Sequence, residues 1–190
     1  DTIRHAITKM SQSHFCSNRQ AYKELLKMGE SKKNVFCYGS PGLDDLSTGQ
    51  LVDRKQLCKD LNIQSPNRTA VVTYHPATQS EESIKGTFSN ILKNLDHYDG
   101  EVIFTGVNAD SGGRVINQLI DEYVKENKNT RFCISLGRTR YLSLLKNAEV
   151  MIGNSSSGFC EAPSFKLPVV NIGDRQKGRC YTKNIIQVGN

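Results

Sequence analysis

With 190 residues, 37% of them hydrophobic, the chain can bury the core of one or two domains. No apolar run is long enough to span a membrane, and the net charge of +6 is spread over helices without the aromatic-basic interleaving of a nucleic-acid groove, so its charge favours an anionic small molecule. Six cysteines stand far apart with no Cys-x-x-Cys pair, which predicts free thiols in a reducing cytosol, several of them buried, and no zinc site.

The sequence opens in mid-helix without a visible signal peptide, as a piece excised from a longer chain would. Ile3, Ala6, Ile7 and Met10 recur at helical spacing and predict a helix from Thr2 to about Gln12. His14 to Ser17 reads as a short buried strand. Asn18 caps a second helix to Met28, with Ala21, Leu25 and Met28 inward and Gly29 as its stop. Val35 to Tyr38 is a strand ended by Gly39-Ser40-Pro41-Gly42. These pieces, 1–46, read as the tail of an α/β unit. The more polar stretch 47–68, with a helix near Asp53 to Leu61, reads as a linker.

From Thr69 the alternation is regular. A β-branched strand, Thr69 to Tyr74, precedes His75-Pro76 and a helix from Ser80 to Leu95 with Ile84, Phe88, Ile91, Leu92 and Leu95 on one face. The strand Val102 to Thr105 turns through Asn108 and Asp110 into a helix with Val115, Ile116, Leu119, Ile120 and Tyr123 inward. Phe132 to Leu136 is a strand and Arg140 to Lys146 a short helix; strands follow at Val150 to Ile152, Val169 to Ile172 and Ile185 to Val188. Strands alternating with helices imply an α/β domain over 69–190, a parallel sheet with helices on both faces. The polar stretches at His75, Asn108 and Asn154 all follow strand C-termini, the edge where open parallel sheets bind ligands.

The stretch richest in chemistry is Gly153-Asn154-Ser155-Ser156-Ser157-Gly158, followed by a helix to about Phe165 and, beyond the next strand, by Arg175, Lys177 and Arg179. Hydroxyls beside unpaired N–H groups at a helix start favour an anion, and a diphosphate fits. Glu161, one to two turns into that helix, is placed to accept both hydroxyls of a ribose. The plainer alternative is a serine N-cap followed by a solvated basic loop.

The serine turn, Glu161 and the segment Asn171-Ile172-Gly173-Asp174-Arg175-Gln176-Lys177-Gly178-Arg179 resemble the UDP-N-acetylglucosamine 2-epimerases, in their hydrolysing branch. The likeness also covers Ile3 to Lys9, Gly39 to Asp44 and His75 to Thr78, and so runs through almost the whole chain in order. The non-hydrolysing branch carries a Thr-Glu-Arg-Pro-Glu-like segment where this chain has Arg175 to Arg179. The resemblance implies a GT-B architecture: 1–46 ends the first Rossmann-like domain, and 69–190 is the second, UDP-binding one, incomplete at its C-terminus.

By the same resemblance, Ser155 and Ser156 meet the diphosphate, Glu161 the ribose and Leu136 the uracil through its backbone, Arg175 lies near the nucleotide, and Asn154, Ser157 and Gly158 count with them as UDP-binding. His75 faces the phosphates and the reacting sugar and is the one catalytic candidate here; its alternative is a strand-end histidine capping a loop. Arg4 and His5 match a motif near the cleft, with a helix-face ion pair or packed histidine as the alternative. Asp110 suits a helix start or an indirect nucleotide role, and Gln176 and Arg179 are further candidates. His14 and His97 receive no role. The carboxylates that the family uses for proton transfer match positions before Asp1, so this chain alone is expected to bind UDP weakly and to catalyse nothing.

The implied reaction converts UDP-N-acetylglucosamine into N-acetylmannosamine and UDP, through elimination to 2-acetamidoglucal and then hydration. No cofactor, metal, nucleic acid or membrane enters it, and a homodimer or homo-oligomer in the cytoplasm is implied for the full-length protein. Three other readings stay open: a non-hydrolysing epimerase, the nucleotide-binding half of a glycosyltransferase, and a non-catalytic nucleotide-sugar sensor.

Overall fold

The computed structural model describes residues 2–47, 51–64, 66–76, 81–107 and 112–189. Contacts divide the chain into two units, Asp1–Gln50 and Leu51–Asn190.

In the first unit α1 (Thr2–Met10), β1 (His14–Cys16), α2 (Arg19–Lys27), β2 (Val35–Cys37) and a short α3 (Asp44–Ser47) follow one another. β1 and β2 pair in parallel, His14 opposite Val35 and Cys16 opposite Cys37. Asn18 caps α2 by accepting from the Ala21 N–H. Gly29, at φ +88°, closes it, with the Glu30 N–H returning to the Leu25 carbonyl. The apolar stripe of α1 is exposed at Ile3, Ile7 and Met10, and exposed Phe15 and Tyr38 stack on either side of the half-buried Phe36.

In the second unit α4 (Arg54–Leu61) is followed by β3 (Thr69–Thr73), α5 (Glu81–Leu95), β4 (Glu101–Thr105), α6 (Gly113–Glu126), β5 (Thr130–Cys133), α7 (Gly137–Asn147), β6 (Val150–Gly153), α8 (Ser157–Cys160), β7 (Val169–Ile172) and β8 (Ile185–Val188). The six strands pair in parallel in the order β5-β4-β3-β6-β7-β8. Alternate residues feed two cores. Ala70, Val72, Val102 and Phe104 meet Ile84, Phe88, Ile116 and Ile120 of α5 and α6, while Val71, Ile103 and Met151 meet Leu57, Leu61, Leu144 and Leu145 of α4 and α7. Every residue of β3 is buried, as a strand covered on both faces requires. The expected parallel sheet between two helical layers is therefore the observed fold.

Several elements differ from the sequence reading. α4 falls within 47–68, yet Leu57, Leu61 and Ile63 are buried in the second unit's core, and the division of contacts falls after Gln50. The strand expected at Phe132–Leu136 runs two to three residues earlier: Ile134 is 81% exposed, and Leu136 caps α7 instead of ending β5. The helix expected to reach Phe165 is a single α turn followed by a 3₁₀ turn over Ala162–Phe165, since Pro163 has no N–H to continue the ladder. All six cysteines are free, but only Cys16 is buried. Asp110 and the expected turn from Asn108 lie outside the described residues, as do Ala77, Thr78 and Ser80.

Candidate functional site at the sheet switch point

β3 runs on to β4 and β5 on one side, whereas β6, β7 and β8 build out on the other, so the strand order reverses between β3 and β6. At such a point the loops leaving neighbouring strands diverge to opposite faces and leave a crevice at the C-terminal edge. Here the two loops are His75-Pro76 after β3 and the serine turn after β6.

Asn154 ties them together. Its side chain is buried, 2% exposed, and pairs reciprocally with the backbone of His75: Oδ1 accepts from the His75 N–H at 2.7 Å and Nδ2 donates to the His75 carbonyl at 2.8 Å. Its N–H donates to the Thr73 carbonyl at 3.1 Å. Its own carbonyl accepts from Gln176 Nε2 at 2.8 Å and from Arg175 Nη1 at 3.2 Å. One residue therefore fixes the histidine loop, the serine turn and the basic loop after β7. This placement also revises the part expected of Asn154: its amide is committed to His75, which makes it a brace for the site.

Gly153 is obligatory where it stands. Its φ is +135°, and a Cβ there would lie 2.0 Å from the Thr73 carbonyl oxygen. Gly158 is held by packing, since a Cβ would meet Val169 Cγ1 at 2.8 Å. Ser155 and Ser156 are half-buried at the rim; Ser155 Oγ accepts from the Ser157 N–H at 3.3 Å. Ser157 points inward, 7% exposed, and its Oγ has no hydrogen-bond partner at normal geometry. The α turn that follows is too short to carry much of a macrodipole, so the hydroxyls of Ser155 and Ser156 and the Arg175 guanidinium are the groups left to meet an anion.

Glu161 is half-buried and forms no ion pair with the described residues, which leaves its carboxylate able to accept hydroxyl donors. Leu136 sends its side chain into the core and leaves its backbone at the start of α7. His75 is 8% exposed at the strand end. Arg175 and Arg179 are exposed on the basic loop, Gln176 is 3% exposed beneath it, and Arg179 reaches Cys160 Sγ at 3.8 Å. Arg4 and His5 are exposed on α1 of the first unit.

The structure adds residues that the sequence reading missed. Thr73 and Thr105 share a 2.7 Å hydrogen bond at the strand ends under the turn. Tyr141 of α7 packs against the core, where burial raises its phenol above the ordinary range. Elsewhere, a cavity of about 580 Å³ between α5 and β6–β8 has a mostly apolar lining, with Asn90, Asn94 and His97 among its polar residues.

The UDP-N-acetylglucosamine 2-epimerase family model matches residues 1–190. A GDP/UDP-N,N'-diacetylbacillosamine 2-epimerase (hydrolyzing) of Campylobacter jejuni is 42% identical over 188 residues, covering 98% of this chain and 49% of that protein. A polysialic acid biosynthesis protein of Escherichia coli is 37% identical over 189 residues, covering 98% and 48%. Among solved structures, the Methanocaldococcus jannaschii UDP-GlcNAc 2-epimerase in complex with UDP-GlcNAc and UDP superposes with a TM-score of 0.72 at 20% identity, covering 95% of this chain and 51% of that one. The chain spans about half the length of the curated relatives it matches and, with the family model running through all of it, belongs to the UDP-N-acetylglucosamine 2-epimerase family.

Proposed function

We propose that this chain supplies the UDP-binding part of a hydrolysing UDP-N-acetylglucosamine 2-epimerase, which turns UDP-GlcNAc into N-acetylmannosamine and UDP. In this reading a base removes the proton on sugar carbon 2 while the bond from carbon 1 to the diphosphate breaks with its electron pair leaving on UDP. Water then adds across the resulting double bond of 2-acetamidoglucal, hydroxyl to carbon 1 and proton to carbon 2 on the opposite side. A proton beside an acetamido group is weakly acidic, so the barrier falls chiefly by stabilising the charge that grows on the leaving diphosphate.

The observation that carries the reading is the Asn154 brace, which joins the His75 loop, the serine turn and the Arg175–Gln176 loop at the switch point. Ser155, Ser156 and Arg175 hold the diphosphate, Glu161 the ribose and the Leu136 backbone the uracil, with His75 beside the phosphates donating or passing a proton. No cofactor or metal takes part. The setting is cytoplasmic synthesis of a sialic acid or related sugar for surface polysaccharide, by a homodimer or larger homo-oligomer.

A second reading of the substrate has specific support: the Campylobacter jejuni relative is named for N,N'-diacetylbacillosamine, a sugar with acetamido groups at carbons 2 and 4. Competition between the two UDP-sugars separates them. The reaction itself is tested with the full-length protein in heavy water. Free UDP together with N-acetylmannosamine deuterated at carbon 2 is the expected result. UDP-N-acetylmannosamine would indicate the non-hydrolysing reaction, and sugar without deuterium a transferase.

A further inference from the structure

The first unit holds two thiols at facing positions. Cys16 and Cys37, the last residues of β1 and β2, are register partners in the parallel pair. Such partners point to the same face of a sheet and stand about 4.8 Å apart, inside the roughly 4.4–6.8 Å between Cα atoms that a disulfide spans. A hydrogen bond places the first sulfur: Cys16 Sγ donates at 3.2 Å to the Phe36 carbonyl, in the peptide group that leads into Cys37. Cys16 is 7% exposed, and burial raises its thiol above the ordinary range, whereas Cys37 is exposed. One thiol therefore meets solvent while the other stands behind it on the neighbouring strand.

We propose that Cys16 and Cys37 form a reversible disulfide, a thiol-modification site that latches the ends of β1 and β2 together. The oxidant is a low-molecular-weight disulfide such as glutathione disulfide. The Cys37 thiolate attacks one of its sulfurs, forming a mixed disulfide and releasing one small thiolate. The Cys16 thiolate then attacks the Cys37 sulfur, forming the internal bond and expelling the second small thiolate. Both cysteines are oxidised, the small disulfide is reduced to two thiols, and these take up the two protons that the cysteines lose. The bond closes a loop through α2 and so restricts the chain between the two strands. Its exposed side keeps it open to reduction, so the pair rests as two thiols wherever small thiols are in excess. The latch is independent of the nucleotide site.

The test equilibrates the chain with glutathione and its disulfide at about pH 8, where thiolates form, in a Cys180→Ser background that removes a competing exposed thiol. Mass spectrometry should find a monomer lighter by two hydrogens with the Cys16 and Cys37 peptides linked, and dithiothreitol should restore the thiols. Adding Cys16→Ser should instead leave glutathione on Cys37, and adding Cys37→Ser should leave Cys16 a thiol; Cys16→Ala replaces Cys16→Ser if that chain does not fold. Oxidation should slow amide exchange in β1 and β2 about tenfold. Glutathione retained on Cys37 with Cys16 still open to alkylation, a bond between two chains, or two unmodified thiols overturns the site. Unchanged exchange in the linked monomer overturns the latch.

Discussion

Asn154 commits its N–H, its carbonyl and both amide atoms to the backbone and side chains around it. Replacing it with alanine removes both of its hydrogen bonds to the buried His75 backbone. Losing a buried hydrogen bond costs on the order of 1–3 kcal/mol, so Asn154→Ala should lose about 2–4 kcal/mol in urea unfolding and should weaken UDP with it. A loss below about 1 kcal/mol would mean the brace is dispensable. Glu161→Gln behaves differently. The residue is half-buried with no ion pair to lose among the described residues, so the melting temperature should hold while UDP affinity falls roughly tenfold, as read by calorimetry. At this scale the sequence was legible for residue types and poorly so for direction. Three serines in a row look alike as letters, and only the packing shows that Ser157 turns inward while Ser155 and Ser156 stay at the rim.

Among the elements, β6 and its exit turn carry the tightest constraint. Gly153→Ala places a methyl group against the Thr73 carbonyl at a backbone angle that alanine disfavours, so the β3–β6 junction must open. We predict a loss of about 3 kcal/mol or more in chemical unfolding, or no soluble protein. A near-neutral Gly153→Ala would contradict this geometry. In the first unit, Lys9 donates to Glu30 and to the end of α2, and His14 adds to the same carboxylate. The Lys9 hydrogen bond, opposed in part by desolvation, holds the Glu30 carboxyl below its ordinary range. A lowered folded pKa means the contribution is fully present above the ordinary glutamate range and is lost as pH falls through the lowered value. The protection factors of the α1 amides, taken relative to intrinsic exchange at each pH, should therefore fall on acidification from about pH 6 to 3, and a Glu30→Gln variant should show no such step. Helices with one apolar face and sharp stops, such as α2 and α5, could be read directly from spacing and caps. β5 could not, because its polar start, Thr130-Arg131, resembles a loop and the apolar residues after it belong to the exit. α8 was overextended because the pattern of apolar letters continues past Pro163 while the hydrogen-bond ladder cannot.

For the whole molecule, regular alternation from Thr69 onward made the parallel sheet legible, since a strand buried on both faces leaves a nearly continuous apolar run. The strand order was not legible, because no local pattern records which strand lies beside which; that β6 adjoins β3 rather than β5 is settled by long-range packing. That single adjacency creates the switch point, and it brings the serine turn to His75 across 79 residues of sequence. The account stands on this edge being a UDP site, and a crystal structure of the chain with UDP tests it most directly. The diphosphate should lie at about 3 Å from the Ser155 and Ser156 hydroxyls and near Arg175, with the ribose hydroxyls on Glu161. UDP bound elsewhere on the chain, with Ser155, Ser156 and Glu161 untouched, would contradict it.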